Sequence, residues 1–302
     1  MLQQMMLAVI PLIVLIATGY GLKQVNFFED GFWHGAEKLN YYLLFPALLL
    51  HTTLTAHIEF SQLKRPILSM FVVVASASTF LYALRMFKPM SAARFGVHMQ
   101  SVVRFNTYIG LALVAALYAK QGMAILAVLL ALCIPVVNVI SVLSLMERQH
   151  MALRPVLLSL LKNPLILSCA VGISLNLLNV PIWQGILQVL KISAASSLPL
   201  GLFCVGAALQ FKQLHKDLWA LSLDTFARLL LMPALAYTVA NHFAVPQLSL
   251  QVMVIFFALP TASASYILTK VLNGDSQLMA AVISFQTVCA ALTLPLVIWC
   301  MT

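Results

Sequence analysis

Charge is scarce in this chain. Of its 302 residues only 8% are Asp, Glu, Lys or Arg and 62% are hydrophobic, and the mean hydropathy is +1.00. Such values exclude a soluble globular domain and read as an integral membrane protein. The five cysteines, Cys133, Cys169, Cys204, Cys289 and Cys300, sit singly in apolar runs without the close pairing a metal or redox centre needs, and they read as packing residues. No Walker A pattern occurs, so nucleotide hydrolysis is not expected to drive the protein. Asp224 is the one acidic residue inside a predicted span. That leaves neither a paired aspartate nor a nucleophile with its base for an intramembrane hydrolase. The sequence therefore predicts no enzyme, no cofactor and no metal. The formal net charge is +9, but the basic residues lie in short loops, where topology and lipid head groups account for them better than nucleic acid does.

What the chain has in abundance is apolar runs of membrane-spanning length. Met5 to Leu22 has no positive residue ahead of it and no small-residue cleavage site behind it, so it reads as a first span rather than a signal peptide. Hydropathy and breakers predict ten spans in all: 5–22, 39–56, 67–87, 97–118, 123–145, 164–180, 192–210, 221–243, 250–271 and 277–301. The long connection within 146–163 carries Arg148, Arg154 and Lys162 and divides a first half, 1–145, from a second, 164–302. On this layout Lys23, Lys38, Arg85, Lys88, Arg94, Arg148, Arg154, Lys162, Lys212, Lys216 and Lys270 fall on one side. Only Lys64, Arg65, Lys120 and Lys191 fall on the other. The positive-inside rule then puts both termini outside the cytoplasm.

Five spans followed by five, entering from opposite sides, are the arrangement of an inverted repeat, and the breakers recur in register. Ile10-Pro11 answers Asn163-Pro164, Phe45-Pro46 answers Leu198-Pro199, and Pro135 answers Pro295. Arg104-Phe-Asn-Thr-Tyr-Ile-Gly110 answers Ala258-Leu-Pro-Thr-Ala-Ser-Ala-Ser265. In the ninth span Pro260 removes a backbone donor, and the hydroxyls after it can bond locally, so the helix is expected to break there. Without proline the fourth span must be broken by Asn106, Thr107 and Gly110, which disrupt a helix more weakly.

Broken spans are where polar chemistry can occur at membrane depth. Arg104 is costly within a span unless it attracts an anion, snorkels or pairs. Asn106, able to donate and accept, suits either a carboxylate or a helix-to-helix contact. Thr261 and Ser263 stand where a half-helix restarts after Pro260, and either meet substrate or bond back to their own helix. Gln286, Thr287 and Asn138 flank the breaks, and each either bridges packed helices or reaches substrate, the bridging role being the commoner one for such side chains. Asp224 and Arg228 are four apart and are expected to share a helix face as an ion pair, structural or coupled to a proton or sodium. His51 is a further titratable group, near the outer end of the second span.

Taken together, Phe45-Pro-Ala-Leu-Leu-Leu, Arg104-Phe-Asn-Thr-Tyr-Ile-Gly, Asn163-Pro-Leu-Ile, Leu198-Pro-Leu-Gly-Leu-Phe-Cys-Val-Gly-Ala-Ala-Leu, Ala258-Leu-Pro-Thr-Ala-Ser-Ala-Ser-Tyr, Gly274-Asp and Thr293-Leu-Pro resemble the auxin efflux carrier family. The resemblance runs over nearly the whole chain. The family contains plant auxin exporters and bacterial carriers of malonate and malate. It implies an all-α membrane protein of ten helices in two inverted five-helix repeats, similar to bile-acid symporters and sodium/proton antiporters. Spans one, two, six and seven would form a scaffold, and spans three to five and eight to ten a transport domain with broken crossover helices four and nine. A small organic anion would bind at Arg104, Asn106, Thr107, Pro260, Thr261, Ser263 and Gln286 and move by an elevator. A homodimer through the scaffold and location in a bacterial inner membrane are implied as well. The rival reading from another class is a membrane sensor or scaffold that binds a ligand without moving it; the paired breakers favour a transporter.

Overall fold

The computed structural model describes residues 2–56, 60–146, 163–211 and 217–301. The expected connecting loop, apart from its edges, lies outside them. Among the described residues the chain is wholly helical: α1 Leu2–Gln24, α2 Asp30–Leu39, α3 Phe45–Thr55, α4 Phe60–Phe87, α5 Ala92–Val103, α6 Thr107–Leu145, α7 Pro164–Leu177, α8 Gln184–Ala207, α9 Leu218–Phe226, α10 Met232–His242, α11 Gln247–Ala258, α12 Ala264–Val271 and α13 Ser276–Cys300. Six apolar stretches are long enough to cross a membrane: Met6–Gln24, Leu63–Phe87, Ala92–Leu145, Gln184–Ala207, Leu218–His242 and Ser276–Cys300. Pro164–Leu177 and Gln247–Ala258 are apolar but shorter. Ala92–Leu145 covers two predicted spans, because α6 reverses at Ala119 (φ 47°) rather than in a separate loop.

Two helices bend through a wider turn, and each time a proline explains it. Asn40–Leu44 joins α2 to α3 just ahead of Pro46, and Ala227–Leu231 joins α9 to α10 just ahead of Pro233. A proline has no N–H to offer the carbonyl four residues back, and its ring collides with that carbonyl. The chain adds a residue to the turn, so that Phe45 N–H reaches the carbonyl of Asn40 and Met232 N–H that of Ala227, each five residues back.

α1 lies against α8, and α3 packs between α7 and α8. Glycine permits the close approach: a Cβ on Gly19 would overlap the Phe203 carbonyl, and one on Gly206 the Ile16 carbonyl. In the same way a Cβ on Gly172 would overlap the hydroxyl of Thr53. With little hydrophobic driving force between helices in lipid, such contacts are what bring membrane helices together. Asn40, in the first wide turn, donates to the Ser197 carbonyl at 3.0 Å and accepts from the Ser197 hydroxyl at 2.9 Å, tying α2–α3 to α8.

α11 is the innermost element: Val252, Met253, Ile255, Phe256 and Phe257 are all 0% exposed. A helix buried on every side must be apolar all round, which is why its sequence has no helical polar stripe. It contacts α4, α6, α10 and α13. Large apolar side chains on the outer helices, among them Phe80, Leu292 and Trp219, are exposed, as is usual of a surface that faces lipid rather than water.

Candidate functional site

Two helices stop at membrane depth and face each other. α5 ends at Val103; Arg104 (φ −86°, ψ 153°) and Asn106 (φ −82°, ψ 103°) are extended, and α6 begins at Thr107. α11 ends at Ala258, Leu259 is extended (φ −66°, ψ 142°), and α12 begins at Ala264. Both breaks were expected, and the fourth-span break is as definite as the ninth although it has no proline. Its position differs from expectation at one residue. Gly110 lies inside α6, and its missing side chain leaves room for Leu259 of the other break, which an added Cβ would meet at 2.6 Å.

The breaks are joined by their own backbones. Asn106 N–H donates to the Pro260 carbonyl at 2.7 Å. Asn106 Oδ1 then accepts from Tyr108 N–H at 3.1 Å and Ile109 N–H at 3.2 Å, capping α6. Its Nδ2 is buried with no partner. Asn163 caps α7 by the same device ahead of Pro164, accepting from Leu165 and Ile166.

Broken helices strand carbonyls, and the ones stranded here can be named. The partner that Phe256 would have four residues on is Pro260, which has no N–H. Val102 loses Asn106 N–H to Pro260, and Leu259 has passed the end of its helix. Arg228, 0% exposed, reaches all three: Nε donates to the Leu259 carbonyl at 2.6 Å, Nη1 to Val102 at 2.7 Å and Nη2 to Phe256 at 3.2 Å. The fork of the guanidinium suits three acceptors in different directions. The Ser101 carbonyl, likewise freed, lies 2.9 Å from the Thr261 hydroxyl and 3.3 Å from Gln286 Nε2. Gln286 Oε1 accepts from Thr261 N–H at 3.0 Å and lies 2.7 Å from its hydroxyl. Phe105 and Phe256 meet across the crossing with centroids 4.2 Å apart and ring planes tilted by 54°.

This geometry corrects the expected Asp224–Arg228 ion pair. Asp224 is paired instead with His98, whose Nδ1 lies 3.0 and 2.9 Å from its two carboxylate oxygens, and Arg228 spends its donors on the stranded carbonyls. Thr261 and Gln286 are buried clips between the two breaks, rather than residues open to a ligand. Thr261 bonds neither its own helix nor free space. Thr107 and Ser263 are half-buried at the starts of α6 and α12, and Pro260 is buried.

Of the expected candidates only Arg104 and Asn138 line the large cavity. That cavity, about 530 Å³, is bounded by His34, Glu37 and Lys38 of α2, Tyr41 and Tyr42 of the wide turn, Arg104, Asn138 and Val142 of α6, Asn163, and Ala264, Ile267, Leu268 and Val271 of α12. It separates the α2–α3 segment and the start of α7 from the crossing. The Arg104 backbone N–H donates to the Gln100 carbonyl at 2.9 Å, but its guanidinium forms no hydrogen bond or ion pair with another described residue. With Lys38 against Glu37, the wall carries one excess positive charge before His34 is counted. Burial pushes the Glu37 carboxyl up from its ordinary range, with His34 pulling the other way. Glu37, Tyr41, Tyr42 and His34 were missed as site residues. The signal available was the Glu37-Lys38-Leu-Asn-Tyr41-Tyr42 cluster at the head of the second span, polar side chains leading into an apolar run.

A family model described as membrane transport protein matches residues 4–155 and again 147–298, which together take in nearly the whole chain. The chain belongs to that family. A search of curated proteins returned no match. By this membership the chain is an integral membrane protein of the membrane transport protein family, also known as the auxin efflux carrier family, whose members are transporters and not enzymes.

Proposed function

We propose that this transporter carries small organic anions, mono- or dicarboxylates of the malonate, malate or auxin type, by alternating access of an elevator kind. The observation that carries the reading is Arg104: a guanidinium at a helix break, without a partner among the described residues, facing a cavity large enough for a small carboxylate and its water. Five N–H donors aimed into such a space are matched by a carboxylate, which can take two of them at once. Asn106 Nδ2, buried without a partner among the described residues, is a second donor at the same break. Tyr41, Asn138 and Asn163 supply neutral polar contacts on the remaining wall.

In this proposal ten spans form two inverted repeats, 1–145 and 164–302, with both termini outside the cytoplasm. α1, α2–α3, α7 and α8 stay fixed, while the elements around the crossing, α4–α6 and α9–α13, move as a unit. The cavity between the two sets then opens to the cytoplasm, in line with the basic residues of that side. A clipped crossing supports rigid movement, because Arg228, Thr261 and Gln286 let both broken helices travel without exposing their carbonyls. An anion leaving a negative-inside cell is favoured by roughly 2.3 kcal/mol per charge per 100 mV, so efflux needs no nucleotide.

The test is uptake of radiolabelled malonate, malate and indole-3-acetate into proteoliposomes, with wild type beside Arg104→Gln. Saturable wild-type flux that is lost in Arg104→Gln is expected. Binding of one of these anions without flux would show a sensor instead, and flux unchanged in Arg104→Gln would overturn the site.

A further inference from the structure

His98 and Asp224 are unexplained by the anion site, although they are ionisable groups placed within apolar helices. His98 is six residues into α5 and Asp224 six residues beyond the start of α9. Nδ1 of His98 sits astride both carboxylate oxygens, and side-chain exposures are 16% for His98 and 6% for Asp224. Nε2 has no hydrogen-bond partner among the described residues, so one face of the imidazole is bound and the other is free to exchange a proton. Ionisable groups within apolar spans are costly and often mark ion or proton pathways.

The pair is wired to the crossing on both sides. The Ser101 hydroxyl donates to the His98 carbonyl at 2.7 Å, and the Ser101 carbonyl is one of the groups that Thr261 and Gln286 hold. Gln286 Nε2 also lies 3.4 Å from the Asp224 carbonyl. The charged groups of the surrounding elements are otherwise engaged. Arg94 is bound to Asp217, Arg228 to three carbonyls, Asp275 caps α13 through Leu278 N–H, and Arg85 of α4 lies over the Phe95 ring. Lys270 of α12 and Lys120 of α6 are exposed. Among the described residues, His98 is thus the one titratable side chain bonded to the Asp224 carboxylate.

We propose that His98–Asp224 is the proton-binding site of this transporter, and that it couples anion movement to a proton gradient as a symporter. The inference rests on the transport reading above. His98 Nε2 takes a proton from the bulk on one side, and the imidazolium is neutralised by Asp224. The same proton leaves Nε2 after the crossing has moved. Protonated, the dyad carries no net charge; deprotonated, it leaves the Asp224 carboxylate of α9 uncompensated beside His98 of α5, and α5 runs on to Arg104 about 9 Å from His98 by the rise per residue. That negative charge opposes arrival of an anion, so proton and anion bind with positive linkage. An imidazole suits the task because its ordinary titration lies near neutrality.

The experiment uses proteoliposomes with membrane potential clamped at zero and radiolabelled malonate as probe. It compares wild type, His98→Arg, His98→Gln and Asp224→Asn in two modes, malonate exchange at equal pH and net accumulation driven by a pH gradient. His98→Arg keeps the positive partner of Asp224 but cannot give up a proton, so it separates a proton site from an ion pair needed only for folding. Wild type is expected to accumulate malonate up to about tenfold per pH unit, the limit for one proton per anion, and all three variants to lose accumulation while His98→Arg still exchanges. Accumulation by His98→Arg equal to wild type overturns the inference, as does wild-type accumulation indifferent to the pH gradient. Should His98→Arg fail to fold, the His98→Gln pair of modes decides in the same way. Absence of any wild-type exchange or net flux overturns the transport reading itself, and this inference with it.

Discussion

The two arginines at the crossing, Arg104 and Arg228, make opposite predictions, and Arg228→Gln is the sharper of them. Arg228 makes three hydrogen bonds, to Leu259, Val102 and Phe256, from a fully buried position. Each carbonyl left unpaired at this depth costs about 1–3 kcal/mol. A glutamine has one NH2 group and a shorter reach, and can recover at most one of the three. The loss is then about 2–6 kcal/mol, against a total stability of about 5–15 kcal/mol for a typical domain. At about 2 °C per kcal/mol for a chain of this size, the melting temperature in detergent falls by about 4–12 °C. Arg104→Gln removes a side chain with no protein hydrogen bond and should leave melting within about 2 °C while abolishing anion flux. Thermal unfolding followed by size-exclusion fluorescence checks both. A melting temperature for Arg228→Gln within about 2 °C of wild type would refute the idea that Arg228 holds the crossing together.

Two further substitutions probe the site from other directions. Asn106→Asp keeps the oxygen that caps α6 but replaces the unpartnered Nδ2 by a second oxygen; melting should stay within about 3 °C and carboxylate flux should fall at least about tenfold, and unaltered flux would remove Asn106 from the anion path. Glu37→Gln takes the one negative charge off the cavity wall and should lower the malonate KM about two- to fivefold at neutral pH. Because burial raises the native Glu37 pKa, the native carboxyl takes up its proton at a higher pH than an exposed one. The advantage of the glutamine should therefore shrink as pH falls and be absent once native Glu37 is neutral. An advantage that persists or grows on acidification contradicts that sign.

Much of the architecture was legible because its causes are local. Apolar run length marks helices, Pro260 marks the second break, and Asn163-Pro164 marks a capped helix start. The first break was legible only in outline, since Asn106 acts by capping α6 and Gly110 by yielding space to Leu259, a residue 149 positions away in the chain. The cavity wall was half legible. Arg104 stands out wherever it is met, but Glu37, Tyr41 and Tyr42 belong to the site only because the α2–α3 segment is folded against the crossing.

Arg228 shows why the rest could not be read. Spacing of four places Asp224 and Arg228 on one helix face, but the wide turn Ala227–Leu231 begins between them, and α-helical spacing no longer sets their relative direction. The partners each one finds are 28 to 126 residues away. What selects those partners is the set of carbonyls that two helix breaks leave without donors. A helix break read from sequence should therefore prompt a search for the long-range donor it obliges the fold to supply. In a membrane chain with so few charged residues, the cation placed within a span is the first candidate. Arg228 meets that obligation, and this leaves Arg104, the other such cation, free for an anion.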